Sequence, residues 1–349
     1  MLNPVRRFLK ERTLTLPPGT LPRPLSLLDV GARGGMQWPW DCASRDLLDV
    51  VMVEPDPVEA ARLQQQCQRE GRGVVIPTAL WSEATTLRLN INRSPGTSSV
   101  LRANMALLEQ FPNVDRFRTD RVVELPAQTI DGLVSTGQMP SVDFAKIDVQ
   151  GAELAVLQGG GDHFGGHLVG LEVEVEFCEL YTGQPLFADV LAYVRTLGLE
   201  MWDIRKTYWK YERGCHVPGP PKGRAVFGDA LFFRPLTGLA DWLAALPRDA
   251  AKQKAAVLVM SALAYGYVDY AVAVLREPAI AKHFGAVTRA GLERGIEALG
   301  AGQCRPSREG YGHVFMIFEI LSRVFRPSHG GWAALGQGLG SRRRGPFWT

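Results

Sequence analysis

The sequence has few residues that would cross-link the chain or anchor it in a membrane. Its five cysteines are scattered and form no CxxC pair, which argues against a disulfide framework and a four-thiolate zinc site. The most apolar run, residues 255–268, is shorter than the roughly 18–20 residues of a membrane-spanning helix. The first residues show no secretory signal pattern. We therefore expect a cytoplasmic protein, in a reducing compartment and without a transmembrane segment.

The sequence has no net positive charge outside the two ends of the chain. The formal net charge is +3 over 349 residues, but residues 1–24 contribute +4 and residues 322–349 contribute +5. Residues 25–321 therefore carry a net charge of −6. Because nucleic-acid-binding proteins usually carry positive charge on the folded domain, no nucleic-acid partner is expected.

The pattern of apolar runs predicts an α/β fold over residues 25–235. Short buried strands alternate with helical patterns, which is typical of a doubly wound, mostly parallel, Rossmann-like sheet. The strands are predicted at 26–30, 50–53, 74–76, 142–147 and 168–177, with a half-exposed strand at 85–91. The runs 200–205 and 225–234 have only a proline-rich turn between them, so they are expected to pair antiparallel at the sheet edge.

The character of the sequence changes after Pro235, where strand signals end and helical patterns follow. Helices are predicted at 239–246, 252–265, 268–275, 287–299 and 314–324. The chain is thus divided into a basic N-terminal segment (1–24), an α/β domain (25–235) and an all-helical C-terminal extension with a basic tail (236–349).

Glycines and a spaced acid mark a cofactor site. The first strand runs into DVGARGG at 29–35, where Gly31 and Gly34 would let the backbone approach a ligand. Glu54 ends the second strand, 23 residues beyond Gly31. At the carboxyl edge of the neighbouring strand, its carboxylate could accept hydrogen bonds from both hydroxyls of a ribose. The pair predicts a cofactor that contains a nucleoside.

The turn lacks the features of a dinucleotide site. A nicotinamide dinucleotide needs GxGxxG opening directly into a helix, whereas this turn is GxxGG and is followed by Pro39 between two tryptophans. S-adenosylmethionine has a ribose but no phosphate, so it fits the turn better. A nicotinamide-dependent oxidoreductase and a non-catalytic, cofactor-binding scaffold protein remain as alternatives.

Several motifs, taken in order over residues 27–234, resemble the FkbM-type S-adenosylmethionine-dependent methyltransferases. They are DVGARGG (29–35), EP (54–55), TALWS (78–82), GTSSV (96–100), FAKIDVQGAELAVLQGG (144–160), LEVEVEF (171–177) and GDALFF (228–233). Arg33 stands where Asn is common, and Gln150 stands where DxEG is common. The resemblance implies O-methylation of a hydroxyl on a sugar or secondary metabolite.

Further residues are candidates for holding this cofactor. Asp29 would orient the first loop or reach the methionine amine through water, or it would cap the turn. Arg33 lies on the same loop and is expected on the methionine side. Trp81 and Ser82 follow the third strand, where the adenine should sit, so Trp81 could stack on the base and Ser82 bond its edge. Core packing is the alternative for Trp81.

Three residues are candidates for the base that takes the hydroxyl proton. Asp148 ends the fourth strand at the same carboxyl edge as Gly31 and Glu54, so it should face both cofactor and acceptor; a helix N-cap is its alternative role. Glu174 lies near the carboxyl end of the acidic strand, and His163 could reach in from a loop. A divalent metal held by Asp148 and Glu174 is possible, but no ligand spacing demands one. The expected acceptor is a small-molecule or glycan hydroxyl.

Overall fold

The protein is described by a computed structural model over residues 19–42, 46–212, 223–301, 313, 316–317, 320–321 and 332–335. Most of the basic N-terminal segment, most of the helix predicted at 314–324 and the basic tail lie outside these residues. The division of the chain at 24 and 235 stays a prediction.

The described residues form the following strands and helices, numbered in chain order. The strands are β1 (Leu25–Val30), β2 (Leu48–Val53), β3 (Val74–Ile76), β4 (Ala79–Leu80), β5 (Thr85–Asn92), β6 (Thr119–Gln128), β7 (Phe144–Ile147), β8 (Gly170–Glu176), β9 (Glu200–Trp209), β10 (Arg224–Phe233) and β11 (Ala333–Leu335). The helices are α1 (Pro57–Glu70), α2 (Met105–Leu108), α3 (Ile130–Ser135), α4 (Glu153–Gln158), α5 (Gly161–His167), α6 (Phe187–Thr196), α7 (Leu239–Ala244), α8 (Arg248–Ala264), α9 (Val268–Arg276), α10 (Pro278–Ala281) and α11 (Ala286–Ala301).

The main sheet has the strand order β11-β9-β10-β8-β7-β1-β2-β3. Strands β3, β2, β1, β7 and β8 run parallel, and β10 is antiparallel to both β8 and β9. The predicted α/β class, with a mostly parallel sheet and an antiparallel pair near one edge, is confirmed. The short strand β11 was not predicted; it comes from the C-terminal extension and pairs antiparallel with β9.

A second, three-stranded sheet has the order β4-β6-β5. Only β5 was predicted from the sequence. Strand β6 is exposed over most of its length, so it lacks the alternation of apolar and polar residues by which a half-buried strand is recognised. This small sheet lies over the carboxyl edge of the main sheet, because Leu89 and Ile91 of β5 line the same cavity as Gly31 and Glu54.

The first helix shows how local signals fix an element in place. Asp56 caps α1 by accepting a hydrogen bond from the backbone N–H of Val58, and Pro57 begins the helix. Gly71 ends it in a left-handed conformation, with φ of 66°. The helix directs Ala60, Leu63 and Cys67 into the core at the spacing of one helical face.

Helices cover both faces of the main sheet, so the core has two halves. Alternate residues of each strand point to opposite faces. Leu27 and Val50 lie in the half that contains α1 and the C-terminal helices α7 to α11. Leu28 and Val51 lie in the other half, with α3 to α6. The predicted extension therefore supplies much of one layer of the fold.

Helix α8 is buried on nearly every side, including two polar side chains, Gln253 and Lys254. Both reach Asp143, a fully buried carboxylate that precedes β7. Asp143 accepts hydrogen bonds from Lys254 Nζ at 2.6 Å and from Arg23 Nη1 at 2.9 Å. Burial alone would raise the pKa of Asp143, but Lys254 and Arg23 hold it below its usual value. This ion-pair cluster fastens the extension to the start of the sheet.

The described helices include none that is long and apolar enough to cross a membrane.

Removing the amine of this cluster should destabilise the fold. Lys254→Met leaves the buried Asp143 carboxylate with fewer partners, so we expect the free energy of unfolding in urea to fall by about 3 kcal/mol. The matched control is Lys252→Met, a partly exposed position on the same helix, which should change it by less than about 0.5 kcal/mol. Equal stability of the two variants would contradict the role of the cluster.

Candidate active site

The loop after β1 lies directly against the end of β7. Gly31 has a positive φ of 76°, and its backbone N–H donates to the carbonyl of Val53 at 3.0 Å. A Cβ atom on Gly31 would lie 1.9 Å from the carbonyl oxygen of Asp148. Only glycine fits there. The loops after β1, β2 and β7 are therefore brought together at one edge of the sheet.

Glu54 lies at this edge of the sheet, directly after β2, and its surface is only 4% exposed. Its Oε1 accepts a hydrogen bond from the backbone N–H of Asp56 at 2.9 Å. Arg33 Nη2 lies 3.7 Å from Oε1 of Glu54 and 2.7 Å from Oδ2 of Asp56. No described residue donates to Oε2 of Glu54. Burial raises the pKa of Glu54, against the Asp56 N–H and Arg33, which lower it.

A cavity of about 270 Å³ opens between the main sheet and the small sheet. Its floor consists of Val30, Gly31, Val53 and Glu54, and Asp148 to Gln150 close one side. Residues 78–80, with Leu89 and Ile91, add an apolar wall. The cavity thus combines an oxygen that can accept hydrogen bonds from sugar hydroxyls with an apolar wall that can contact a base. This combination fits a cofactor that contains a nucleoside.

Gln150 connects the polar groups beside the cavity. Its Nε2 donates to Oδ1 of Asp148 at 2.9 Å and to Oε1 of Glu174 at 3.2 Å. Its Oε1 accepts from the hydroxyl of Tyr181 at 3.1 Å. The backbone of Gln150 is left-handed, with φ of 60°, and its carbonyl accepts from Ser99 Oγ. One amide therefore sets the positions of two carboxylates.

Lys146 balances the negative charge beneath the site. It is 5% exposed, and its Nζ lies 3.6 Å from Oδ2 of Asp148. Burial disfavours its charged form, but the carboxylates of Asp148, Asp29 and Glu172 together raise the pKa of Lys146. Burial also raises the pKa of Asp29 to about 6, although Lys146 opposes this. The Lys146 ammonium group therefore lies among several carboxylates.

Among the described residues, no group of three or more His, Cys, Asp or Glu side chains is arranged to hold a metal ion. Between Asp148 and Glu174, the pair considered for a divalent cation, the Gln150 amide donates to both carboxylates.

Residues 29–201 match the methyltransferase FkbM domain. These residues include the Gly31 loop, Glu54, Asp148 and the acidic strand β8. Residues 29–201 belong to the FkbM methyltransferase family. The assignment supports S-adenosylmethionine-dependent methyl transfer in general.

The chain is also similar to parts of solved structures, among them three methyltransferases. One is the methyltransferase FkbM from Methylobacillus flagellatus, with a TM-score of 0.36 and 16% identity, covering 64% of this chain and 48% of that one. Another is precorrin-6y C5,15-methyltransferase from Geobacter metallireducens (TM-score 0.30, 8% identity, 62% and 85% covered). A third is a SAM-dependent methyltransferase from Aquifex aeolicus (TM-score 0.26, 10% identity, 60% and 83% covered).

The alignment spans about half the length of the Methylobacillus protein. No curated protein sequence matches the chain.

The FkbM domain brings several of the residues predicted from the sequence to the cavity. Gly31, Arg33, Glu54 and Asp148 line it. Gly34 belongs to the same loop, with its backbone N–H bonded to Glu59 at 2.9 Å. Two predicted positions lie just behind the lining. Asp29 is buried beneath the loop with Oδ1 unpaired, and Glu174 reaches the lining through Gln150.

Trp81 and Ser82 do not line the cavity, contrary to the prediction. The lining ends at Leu80. The backbone N–H of Trp81 donates to the carbonyl of Gln128 in the small sheet. The carbonyl oxygen of Trp81 packs against Gly159 so closely that a Cβ atom on Gly159 would lie 2.0 Å from it. The chain therefore turns away from the cavity after β4, and Thr78 to Leu80 form the wall instead.

His163 lies at the opposite edge of the sheet, so its prediction as a base is wrong for this cavity. Its Nε2 accepts a hydrogen bond from the backbone N–H of Val142 at 3.1 Å. Val142 precedes β7, whereas Asp148 follows it, about 20 Å away along an extended strand. Burial, with His167 close by, lowers the pKa of His163 to about 4.

Gln150, Lys146 and Tyr181 were not predicted as site residues. Lys146 carried a signal, because a lysine inside a fully buried strand needs negative partners nearby. Gln150 was noted only as a departure from the family pattern. Tyr181 has no sequence signal, since its place depends on the loop after β8 folding back over Gln150.

A carboxylate at position 150 should repel its neighbours. Gln150→Glu replaces the shared amide by a third acid beside Asp148 and Glu174, so we expect a loss of about 1–3 kcal/mol in unfolding free energy at pH 8. The control Gln65→Glu, exposed on α1, should cost less than about 0.5 kcal/mol.

The loss should depend on pH in a defined direction. The pKa of Glu174 is raised by burial and by Asp148, and the new carboxylate would share that environment. The pKa of such a carboxyl group is higher in the folded chain than in the unfolded chain, where it is near 4.5. As the pH rises from the unfolded-state pKa to the folded-state pKa, the group therefore lowers the free energy of unfolding. Denaturation at pH 5 should therefore show a smaller deficit than at pH 8. A deficit independent of pH would contradict the electrostatic explanation.

Proposed function

We propose that this chain is an S-adenosylmethionine-dependent O-methyltransferase that acts on a hydroxyl of a sugar or another small molecule. The observation that carries the proposal is the shared cavity. The free oxygen of Glu54, the Gly31 loop and the Asp148 carboxylate all face it, and it lies within an FkbM domain.

The residues of the cavity suit the parts of this cofactor. Glu54 Oε2 would accept hydrogen bonds from the ribose hydroxyls, and Leu80 and Leu89 would contact the base. The loop of Gly31 and Gly34, with Asp29 beneath it, would hold the methionine end, and Arg33 borders the ribose side through its contact with Glu54. When bound, the cofactor supplies an electrophilic methyl group.

Asp148 is the proposed base. A hydroxyl is a poor nucleophile at neutral pH, so a positioned carboxylate must take its proton as attack proceeds. The Asp148 side chain is 27% exposed in the cavity, and Lys146 and Gln150 fix its orientation. Glu174 is buried, and burial raises its pKa well above the usual range. It therefore serves better as a hydrogen-bond partner of Gln150 than as the base.

A cytoplasmic location is part of the proposal. The thiols of Cys67 and Cys178 are free and buried, which suits a reducing compartment.

Glu54 provides the first test, by calorimetric titration with S-adenosylmethionine and with NAD. We expect S-adenosylmethionine to bind and NAD not to bind. In Glu54→Gln the charge-assisted bonds to the ribose are lost, so affinity should fall roughly 10- to 100-fold. Glu109→Gln, which changes an exposed acid away from the cavity, should bind as the unaltered chain does. Tight binding of NAD alone would instead indicate a nicotinamide enzyme.

Asp148 provides the second test, by separating binding from turnover. An acceptor is first found with methyl-labelled cofactor in cell extracts. In Asp148→Asn, kcat for that acceptor should fall by roughly 10²–10⁴. Affinity for S-adenosylmethionine should change by less than about threefold, because Glu54 and the Gly31 loop are intact. If the chain binds the cofactor but methylates no acceptor, the scaffold alternative is favoured.

A further inference from the structure

A second, larger cavity lies beside the cofactor cavity, on the outer side of the small sheet. Its volume is about 700 Å³, within the range of small-molecule sites. Strand β5 forms the wall between the two cavities, because its residues alternate in direction. Leu89 and Ile91 line the cofactor cavity, whereas Arg88 and Asn90 line the second one.

Four arginines line this second cavity, and no carboxylate does. We call it the arginine groove; the four are Arg88, Arg93, Arg102 and Arg118. Arg118 pairs with Asp115 at 2.7 Å, and Arg93 lies 4.0 Å from the same carboxylate. Within the described part of the chain, no carboxylate lies within ion-pairing distance of Arg88 or Arg102. The groove therefore has more positive than negative charge.

The groove is built by specific contacts that bring the arginines together. Asn90 Nδ2 donates to the carbonyls of Ser99 and Leu101, both at 3.0 Å. These bonds hold the loop that carries Arg102 beside β5, which carries Arg88. The guanidinium groups thus come from two different segments, as a site that encloses an anion requires.

The groove adjoins the place where methyl transfer would occur. Val100 lines both cavities, and Ser98, two residues before it, lines the cofactor cavity together with Asp148. A molecule held in the groove would therefore extend over Val100 toward Asp148. This position suits the part of an acceptor that lies away from its reacting hydroxyl.

We propose that the methyl acceptor carries a phosphate or diphosphate group, which binds in the arginine groove. The inference rests on the proposed function and adds the substrate class. Guanidinium groups bind phosphate through paired, charge-assisted hydrogen bonds. A small acceptor fits better than a nucleic acid, because residues 25–321 carry a net charge of −6 and the groove is a local positive site on this acidic body.

The test is a calorimetric titration of the full chain with inorganic pyrophosphate and, separately, with S-adenosylmethionine. The test variant is the double substitution Arg88→Gln and Arg102→Gln. The matched control is Arg69→Gln with Arg195→Gln, which removes two charges from exposed positions outside both cavities. Should the double variant not fold by circular dichroism, Arg102→Gln alone, which lies in a loop, takes its place.

We expect pyrophosphate to bind the unaltered chain and the control equally, and the test variant at least about tenfold more weakly, since two charged partners are lost. All three should bind S-adenosylmethionine alike. Absent pyrophosphate binding, or equal binding by all three, overturns the proposal. If a single-stranded oligonucleotide binds through the same arginines more tightly than pyrophosphate does, the proposal is overturned in favour of a nucleic acid. If phosphatidylglycerol vesicles do so, it is overturned in favour of a membrane.

The two proposals fail separately. If the unaltered chain binds pyrophosphate but not S-adenosylmethionine, the methyltransferase proposal fails and the anion site stands. If it binds S-adenosylmethionine but not pyrophosphate, only the inference about the acceptor fails.

Discussion

The site depends on one constraint, the burial of several carboxyl groups at the carboxyl edge of the main sheet. Strand β8 directs Glu172, Glu174 and Glu176 to one face, and all three are buried. Desolvation raises the pKa of Glu172 to about 7, and it also raises those of Glu174 and Glu176. Buried carboxylates must be neutralised, paired or hydrogen-bonded. Tyr265 donates to Glu172 and Gln150 donates to Glu174, so these two residues answer the requirement that β8 sets.

Gln150 and Lys146 are the consequences of that constraint. A carboxylate at position 150 would be a third acid beside Asp148 and Glu174, whereas an amide donates to both. Lys146 supplies a buried cation on the neighbouring strand β7, in register with Glu172. The departure of Gln150 from the family pattern thus has a local physical explanation: it exchanges charge repulsion for two hydrogen bonds.

The sequence predicted what short-range rules determine, and it failed where distant segments meet. The parallel strands and the positions of Gly31, Glu54 and Asp148 follow from period and spacing. His163 was wrongly placed because the residues around it do not indicate whether the helix after β7 places its side chains at the amino or the carboxyl edge of the sheet. Trp81 and Ser82 were wrongly placed because the chain turns away from the cavity after β4, where it pairs with β6. Strand β6 is mostly exposed and shows no alternation of apolar and polar residues, so it was not predicted.

The C-terminal helices are connected to the site through the acidic strand. Tyr265, which caps α8, donates its hydroxyl hydrogen bond to Oε2 of Glu172, and Trp40 donates to Tyr265 at 3.2 Å. Glu172 in turn helps to raise the pKa of Lys146, which contacts Asp148. The extension covers an apolar face of the sheet and also provides a hydrogen-bond donor to a carboxylate in its centre. Its helices therefore contribute to the charge balance beneath Asp148 as well as to the core.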